Sequence, residues 1–181
     1  MSLLLTFKEM DDRKFDFVGI VGLQTTGTNL MDKFISTNFH AKSLSIGGWK
    51  HNIFSPEYLA KHYNLHNKNV LKIVMVKHPL FWVQSMSKAS YEVKFRDTDP
   101  SNQARNLNLI VTSKLVVLRD SKTQKALWRY DNICKLWNTF YSYAFAYAPQ
   151  DSTIFIRYED LLNHPEQIFE ELGKYLNAKS D

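Results

Sequence analysis

The chain has one cysteine, Cys134. No disulfide framework can form within it, which suits a reducing compartment. Cys134 lies among residues at helical spacing and reads as a small buried hydrophobe. No apolar stretch approaches the ~18 residues that a membrane span needs. The opening residues, 1–7, are a short apolar run followed by Lys8, Glu9, Asp11 and Asp12. With no basic leader this does not read as a signal peptide, and the expectation is a cytoplasmic protein with no membrane span. Runs of five or more like charges are also absent, and the net charge is +5. That argues against a nucleic-acid-binding tail and suits either a pocket for an anionic small molecule or a solvated basic surface. Repeats, low-complexity segments and linkers are missing too, so residues 1–181 read as a single domain. What the chain does have is 44% hydrophobic and 14% aromatic residues, enough to bury one sizeable core.

Three apolar runs carry the fold. Residues 15–21 (FDFVGIV), 70–76 (VLKIVMV) and 153–156 read as buried parallel strands. Helical spacing follows the first over 28–39, at Leu30, Met31, Phe34, Ile35 and Phe39. Pro79 opens a helix to about Ala89, and Pro165 opens the last one, over 165–176. Residues 41–49 suggest a second short strand, 56–65 a short helix, and 124–147 one long helix stopped by Pro149. The polar-then-apolar stretch 96–122 reads as an insertion, a β-hairpin or lid. Strands alternating with helices predict an α/β fold in three layers, a mainly parallel sheet flanked by helices.

The first strand and helix enclose GLQTTGTN, residues 22–29. Backbone amides in such a loop converge on an anion, and the helix N-terminus adds partial positive charge. Its spacing is that of G-x-x-x-x-G-K-[ST], with two changes: Thr28 stands for the lysine and Asn29 for the metal-holding hydroxyl. The loop suits a phosphate and is poorly equipped for metal-bound ATP. The structural alternative is an ordinary capped strand-to-helix turn. The 70–76 strand delivers Lys77 at its carboxyl end, the rim where open α/β sheets bind ligands.

Taken together, these segments resemble the P-loop sulfotransferases. The first motif corresponds to Leu23-Gln24-Thr25-Thr26-Gly27-Thr28-Asn29-Leu30. The second, a strand then R-[ND]-P with a serine eight residues after the arginine, corresponds to Lys77-His78-Pro79 and Ser85. The third corresponds to Arg157-Tyr158-Glu159-Asp160-Leu161 followed by Pro165. The resemblance implies a P-loop-type fold and a sulfotransferase that uses 3′-phosphoadenosine 5′-phosphosulfate as co-substrate. It implies that Gln24, Thr25, Thr26, Gly27, Thr28 and Asn29 hold the 5′-phosphosulfate, that Lys77 and Ser85 hold the 3′-phosphate, and that Tyr158 lies near the adenine. Glu159 and Asp160 tie the strand end to its neighbours. The family carries Lys or Arg where this chain has Thr25, and arginine where it has Lys77.

Such a transfer needs a base for the acceptor proton and a cation near the bridging oxygen. Trp49-Lys50-His51 is the best local source: His51 as general base, Lys50 as cation. The bland reading is two surface residues on a loop. His62 and His66, four apart, read as a surface pair, and no metal is expected. Trp128, Trp137 and Tyr141 read as core. The acceptor, a small molecule or glycan offering a hydroxyl or amine, is not specified by the sequence, nor is the oligomeric state. The alternatives are a catalytically impaired nucleotide-binding module and a small P-loop kinase.

Overall fold

The computed structural model describes residues 4–6, 10, 13–44, 50–51, 69–89, 91–95, 107–119 and 125–180. In chain order the described elements are β1 (Leu4–Thr6), β2 (Phe17–Val21), α1 (Thr28–Asn38), β3 (Lys42–Ser43), β4 (Val70–Val76), α2 (Pro79–Lys88), β5 (Val93–Phe95), α3 (Leu107–Thr112), β6 (Val116–Arg119), β7 (Ala126–Tyr130), α4 (Ile133–Tyr147), β8 (Thr153–Arg157), α5 (Tyr158–Asn163) and α6 (Pro165–Gly173). They fall into two compact units, residues 1–77 with 143–181, and residues 78–142.

The first unit is an α/β arrangement around a five-stranded sheet of order β1-β8-β4-β2-β3. β8, β4, β2 and β3 run parallel, and β1 pairs antiparallel with β8 at the edge. Alternate residues of the inner strands (Val18, Ile20, Leu71, Ile73, Met75, Ile154, Ile156) join Met31 and Ile35 of α1 and Ile168 and Leu172 of α6 in one core. Phe155, on the opposite face, stacks on Phe145 with centroids 4.3 Å apart. Burial on both faces is why these strands read as unbroken apolar runs. Each such aliphatic side chain contributes roughly 1.5–3 kcal/mol, so the loops at the strand ends stand on a rigid base. The parallel neighbours Val21 and Val74 are in register, which sets Gly22 and Lys77 just beyond the same edge.

The interior holds one unexpected group. Lys72 on β4 is fully buried, and its amine donates to Ser152 Oγ at 3.1 Å and more weakly to the Val70 carbonyl at 3.4 Å.

The second unit contains the three-stranded antiparallel sheet β5-β6-β7, with α2 packed against α3. Three expectations change here. The apolar stretch 107–118, taken as part of a hairpin or lid, splits into helix α3 and strand β6. The single helix over 124–147 is instead strand β7 followed by α4: β7 is claimed by pairing with β6, Val116 opposite Tyr130 and Leu118 opposite Trp128, and Asn132 Oδ1 caps the helix by accepting from the Lys135 amide at 2.9 Å. Cys134 is exposed, not buried, because α4 buries the face carrying Ile133, Leu136, Phe140 and Ala144. Tyr141 is buried as expected, while Trp128 and Trp137 are half-buried. The helix expected over 56–65, with His62 and His66, and Trp49 lie outside the described residues. No helix among the described residues is long and apolar enough to cross a membrane.

Candidate functional site

In the first unit the chain leaves β2, forms α1 and adds β3 on one side of β2; it then returns to add β4 on the other side. The strand order reverses between β2 and β4. In open α/β sheets the crevice outside the carboxyl ends at such a reversal is where ligands bind. Here it is bounded by residues 22–27 after β2, Lys77 after β4 and Tyr158 after β8.

The loop turns through two left-handed residues, Thr25 at φ 63 and Gly27 at φ 87. A β-branched residue rarely adopts that conformation, so the surrounding contacts hold the loop in a set shape. Thr26, fully buried, donates its hydroxyl to the Leu23 carbonyl at 2.7 Å. Its proton is thus committed inside the loop, a role different from the ligand donor expected of it. Thr25 Oγ1 is buried and has no hydrogen-bond partner among the described residues. Gln24 and Thr28 are buried and Asn29 is exposed. The first-turn amides of α1 have no intrahelical acceptor and carry the positive end of the helix dipole.

Two glycines are required by packing. A Cβ on Gly22 would lie 2.5 Å from Thr26 Oγ1 and 3.0 Å from the Met75 carbonyl oxygen. A Cβ on Gly27 would lie 2.4 Å from Tyr158 Cδ2. Tyr158 therefore packs on the loop itself. Arg157 fixes the turn that presents it, donating to Asp160 through Nε at 2.7 Å and Nη2 at 2.5 Å. That pair is the tie at the strand end that the sequence suggested for Asp160.

Lys77 is 8% exposed. Its amine donates to the Thr25 carbonyl at 3.3 Å and lies 4.3 Å from the centroid of the Tyr158 ring, within cation–π range. Lys50 and His51 reach the same loop. The Gly22 amide donates to the Lys50 carbonyl at 3.0 Å, the Lys50 amine donates to Asn29 Oδ1, and His51 Nδ1 is 2.6 Å from the Gly22 carbonyl oxygen. A carbonyl only accepts, so Nδ1 carries the proton, and in the neutral ring Nε2 is left as the basic nitrogen. His51 is 8% exposed.

Of the residues singled out from sequence, the 24–29 loop, Lys50, His51, Lys77 and Tyr158 therefore come together in one unit. Ser85 lies on α2 in the second unit, where its carbonyl accepts from the Ala89 amide. Sequence reasoning missed the Gly22 carbonyl as the group that orients His51 and the Tyr158 ring as the wall against Gly27. Neither has a sequence signal, because both are tertiary contacts. Comparison with protein-family models, with curated proteins and with solved structures finds no match.

Chemically, the rim offers helix-terminal amides, a lysine ammonium and a hydroxyl around one loop, which suits a tetrahedral anion. Beside it stands an imidazole of set tautomer.

Proposed function

We propose that this chain is a P-loop-type sulfotransferase that binds 3′-phosphoadenosine 5′-phosphosulfate in the crevice between β2 and β4 and moves its sulfuryl group to a hydroxyl or amine acceptor. One observation carries the reading. The lysine of the second motif reaches the backbone of the first at 3.3 Å, with the tyrosine of the third against both. Thr25 and Lys77, 52 positions apart in the chain, meet at the strand-order reversal.

In the reaction the acceptor oxygen or nitrogen attacks sulfur as its proton passes to His51 Nε2. The bond from sulfur to the bridging oxygen breaks, and adenosine 3′,5′-bisphosphate leaves. Lys50 supplies positive charge for the oxygens that gain negative charge, and the loop amides hold the group in line. Thr28 and Asn29 stand where a metal-dependent triphosphate site has lysine and hydroxyl, which favours this donor over ATP.

The test is turnover: release of adenosine 3′,5′-bisphosphate from the phosphosulfate in the presence of a panel of phenol, alcohol, sugar and amine acceptors. His51→Gln should lower kcat/KM roughly 100-fold or more while the nucleotide still binds. Nucleotide binding with no turnover for any acceptor would favour a binding module that lacks catalysis; full activity of His51→Gln would remove the base.

A further inference from the structure

The loop formed by residues 22–29 contains no cationic side chain. Helix-terminal partial charges offset only part of the charge of a bound phosphate or phosphosulfate, so the balance must come from neighbouring strands. Two lysines end at the loop, and they do so differently. Lys50 bonds the side chain of Asn29 in the first turn of α1. Lys77 is nine-tenths buried, and its amine bonds the backbone of Thr25, the left-handed residue at the turn of the loop. The Tyr158 ring meets both the loop and Lys77: its edge abuts Gly27 and the Lys77 amine lies over the ring. Beside the same turn, Thr25 Oγ1 is buried with no hydrogen-bond partner among the described residues.

Resting on the sulfotransferase function proposed above, we infer that Lys77 serves the anion held in the loop. It is the cation for the 5′-phosphosulfate and for the charge that develops on the leaving phosphate, and it does not serve a separate pocket for the 3′-phosphate. Tyr158 is then a positioning residue, which holds the ammonium over the loop by its ring. A lysine whose amine already hydrogen-bonds the loop backbone needs only a small torsional change to reach a group seated on the neighbouring amides. This assignment departs from the role that motif order alone suggests for Lys77. It makes the 5′ end, rather than the 3′ end, the part of the nucleotide that this side chain recognises.

Calorimetry with two probes, adenosine 3′,5′-bisphosphate and adenosine 5′-monophosphate, separates the alternatives. Lys77→Met should weaken both by the same factor, about ten-fold or more, as expected for loss of a charge-assisted hydrogen bond. Lys77→Arg, which retains the charge, should bind both within about three-fold of the wild type. In turnover Lys77→Met should lower kcat more than it raises KM, because charge on the leaving phosphate is largest in the transition state. Weakening of the bisphosphate alone would assign Lys77 to the 3′-phosphate and overturn the inference while leaving the proposed function intact. A wild type that binds the bisphosphate but not the monophosphate would do the same. Lys77→Arg as weak as Lys77→Met would show that charge is not the cause. Failure of the wild type to bind either probe would remove the proposed function, and this inference with it.

Discussion

Gly27→Ala is expected to abolish nucleotide binding and to destabilise the fold by about 2–4 kcal/mol. Two independent effects add. The residue has φ 87, where an L side chain is strained, at a cost of roughly 1–2 kcal/mol. The added methyl carbon would also stand 2.4 Å from Cδ2 of Tyr158. The ring cannot retreat freely, since Arg157 and Asp160 pin the turn on which it is mounted and the Lys77 amine lies over it. For a chain of this size the melting temperature should fall roughly 4–16 °C. Thermal denaturation checks the first part and calorimetry with adenosine 3′,5′-bisphosphate the second. The companion variant Tyr158→Ala removes the ring and should relieve the clash in Gly27→Ala, so that the pair destabilises less than the sum of the single changes. Strict additivity would mean that the ring is not what Gly27 accommodates.

Lys72→Met is expected to do the reverse and stabilise the protein at neutral pH. The Lys72 amine is fully buried. Burial pushes its pKa down to about 8, with Asp151 opposing the effect and Arg13 adding to it. The sign follows from proton counting. Between pH 8 and the ordinary lysine value of 10.5, the unfolded chain binds more protons at this residue than the folded one, so stability rises with pH through that window. Below it the folded protein carries the whole penalty, about 3 kcal/mol at most. Methionine has similar bulk and no charge to desolvate. It should raise stability at pH 7 by about 1–3 kcal/mol after the lost hydrogen bonds to Ser152 and Val70 are counted. Denaturant titrations at pH 7 and pH 10 read this directly. The gain should be larger at pH 7, and the difference between variant and wild type should shrink as the pH rises. A variant less stable than the wild type at pH 7, or a gain that does not depend on pH, would show that the amine is adequately solvated or paired where it lies.

The central strands were legible because they are buried on both faces. Residues 70–76 contain one polar residue, Lys72, which the apolar pattern absorbed without revealing that its charge is buried. The helices opened by Pro79 and Pro165 were legible from a fixed φ and a missing donor at the first turn. β7 was not. Ala126, Leu127 and Arg129 are exposed, so the strand carries little burial pattern, and Leu127 with Trp128 continues the helical spacing of the residues that follow. The Asn132 cap was the available signal that a helix begins after it. β1 is three residues long and pairs at the edge, too short to show a period.

For the site, the rule that strand ends share a rim was enough to bring Lys77 and the 22–27 loop together. It did not reveal that the Lys77 amine bonds the Thr25 carbonyl beside the Tyr158 ring, since that depends on the reach of one side chain. The tautomer of His51 was likewise out of reach, because it is set by a backbone carbonyl 29 positions away.

Amide chemical-shift mapping with isotopically labelled protein and adenosine 3′,5′-bisphosphate, in a chelator and without divalent metal, bears most directly on the claim that the carboxyl ends of β2 and β4 hold the anion. Saturable shifts should centre on residues 25–29 and on Lys77, and they should be reversed by raising the salt concentration. No shifts at all would contradict the account. So would shifts confined to the cavity of about 340 Å³ that Phe15, His40 and Lys42 line at the amino ends of β2 and β3.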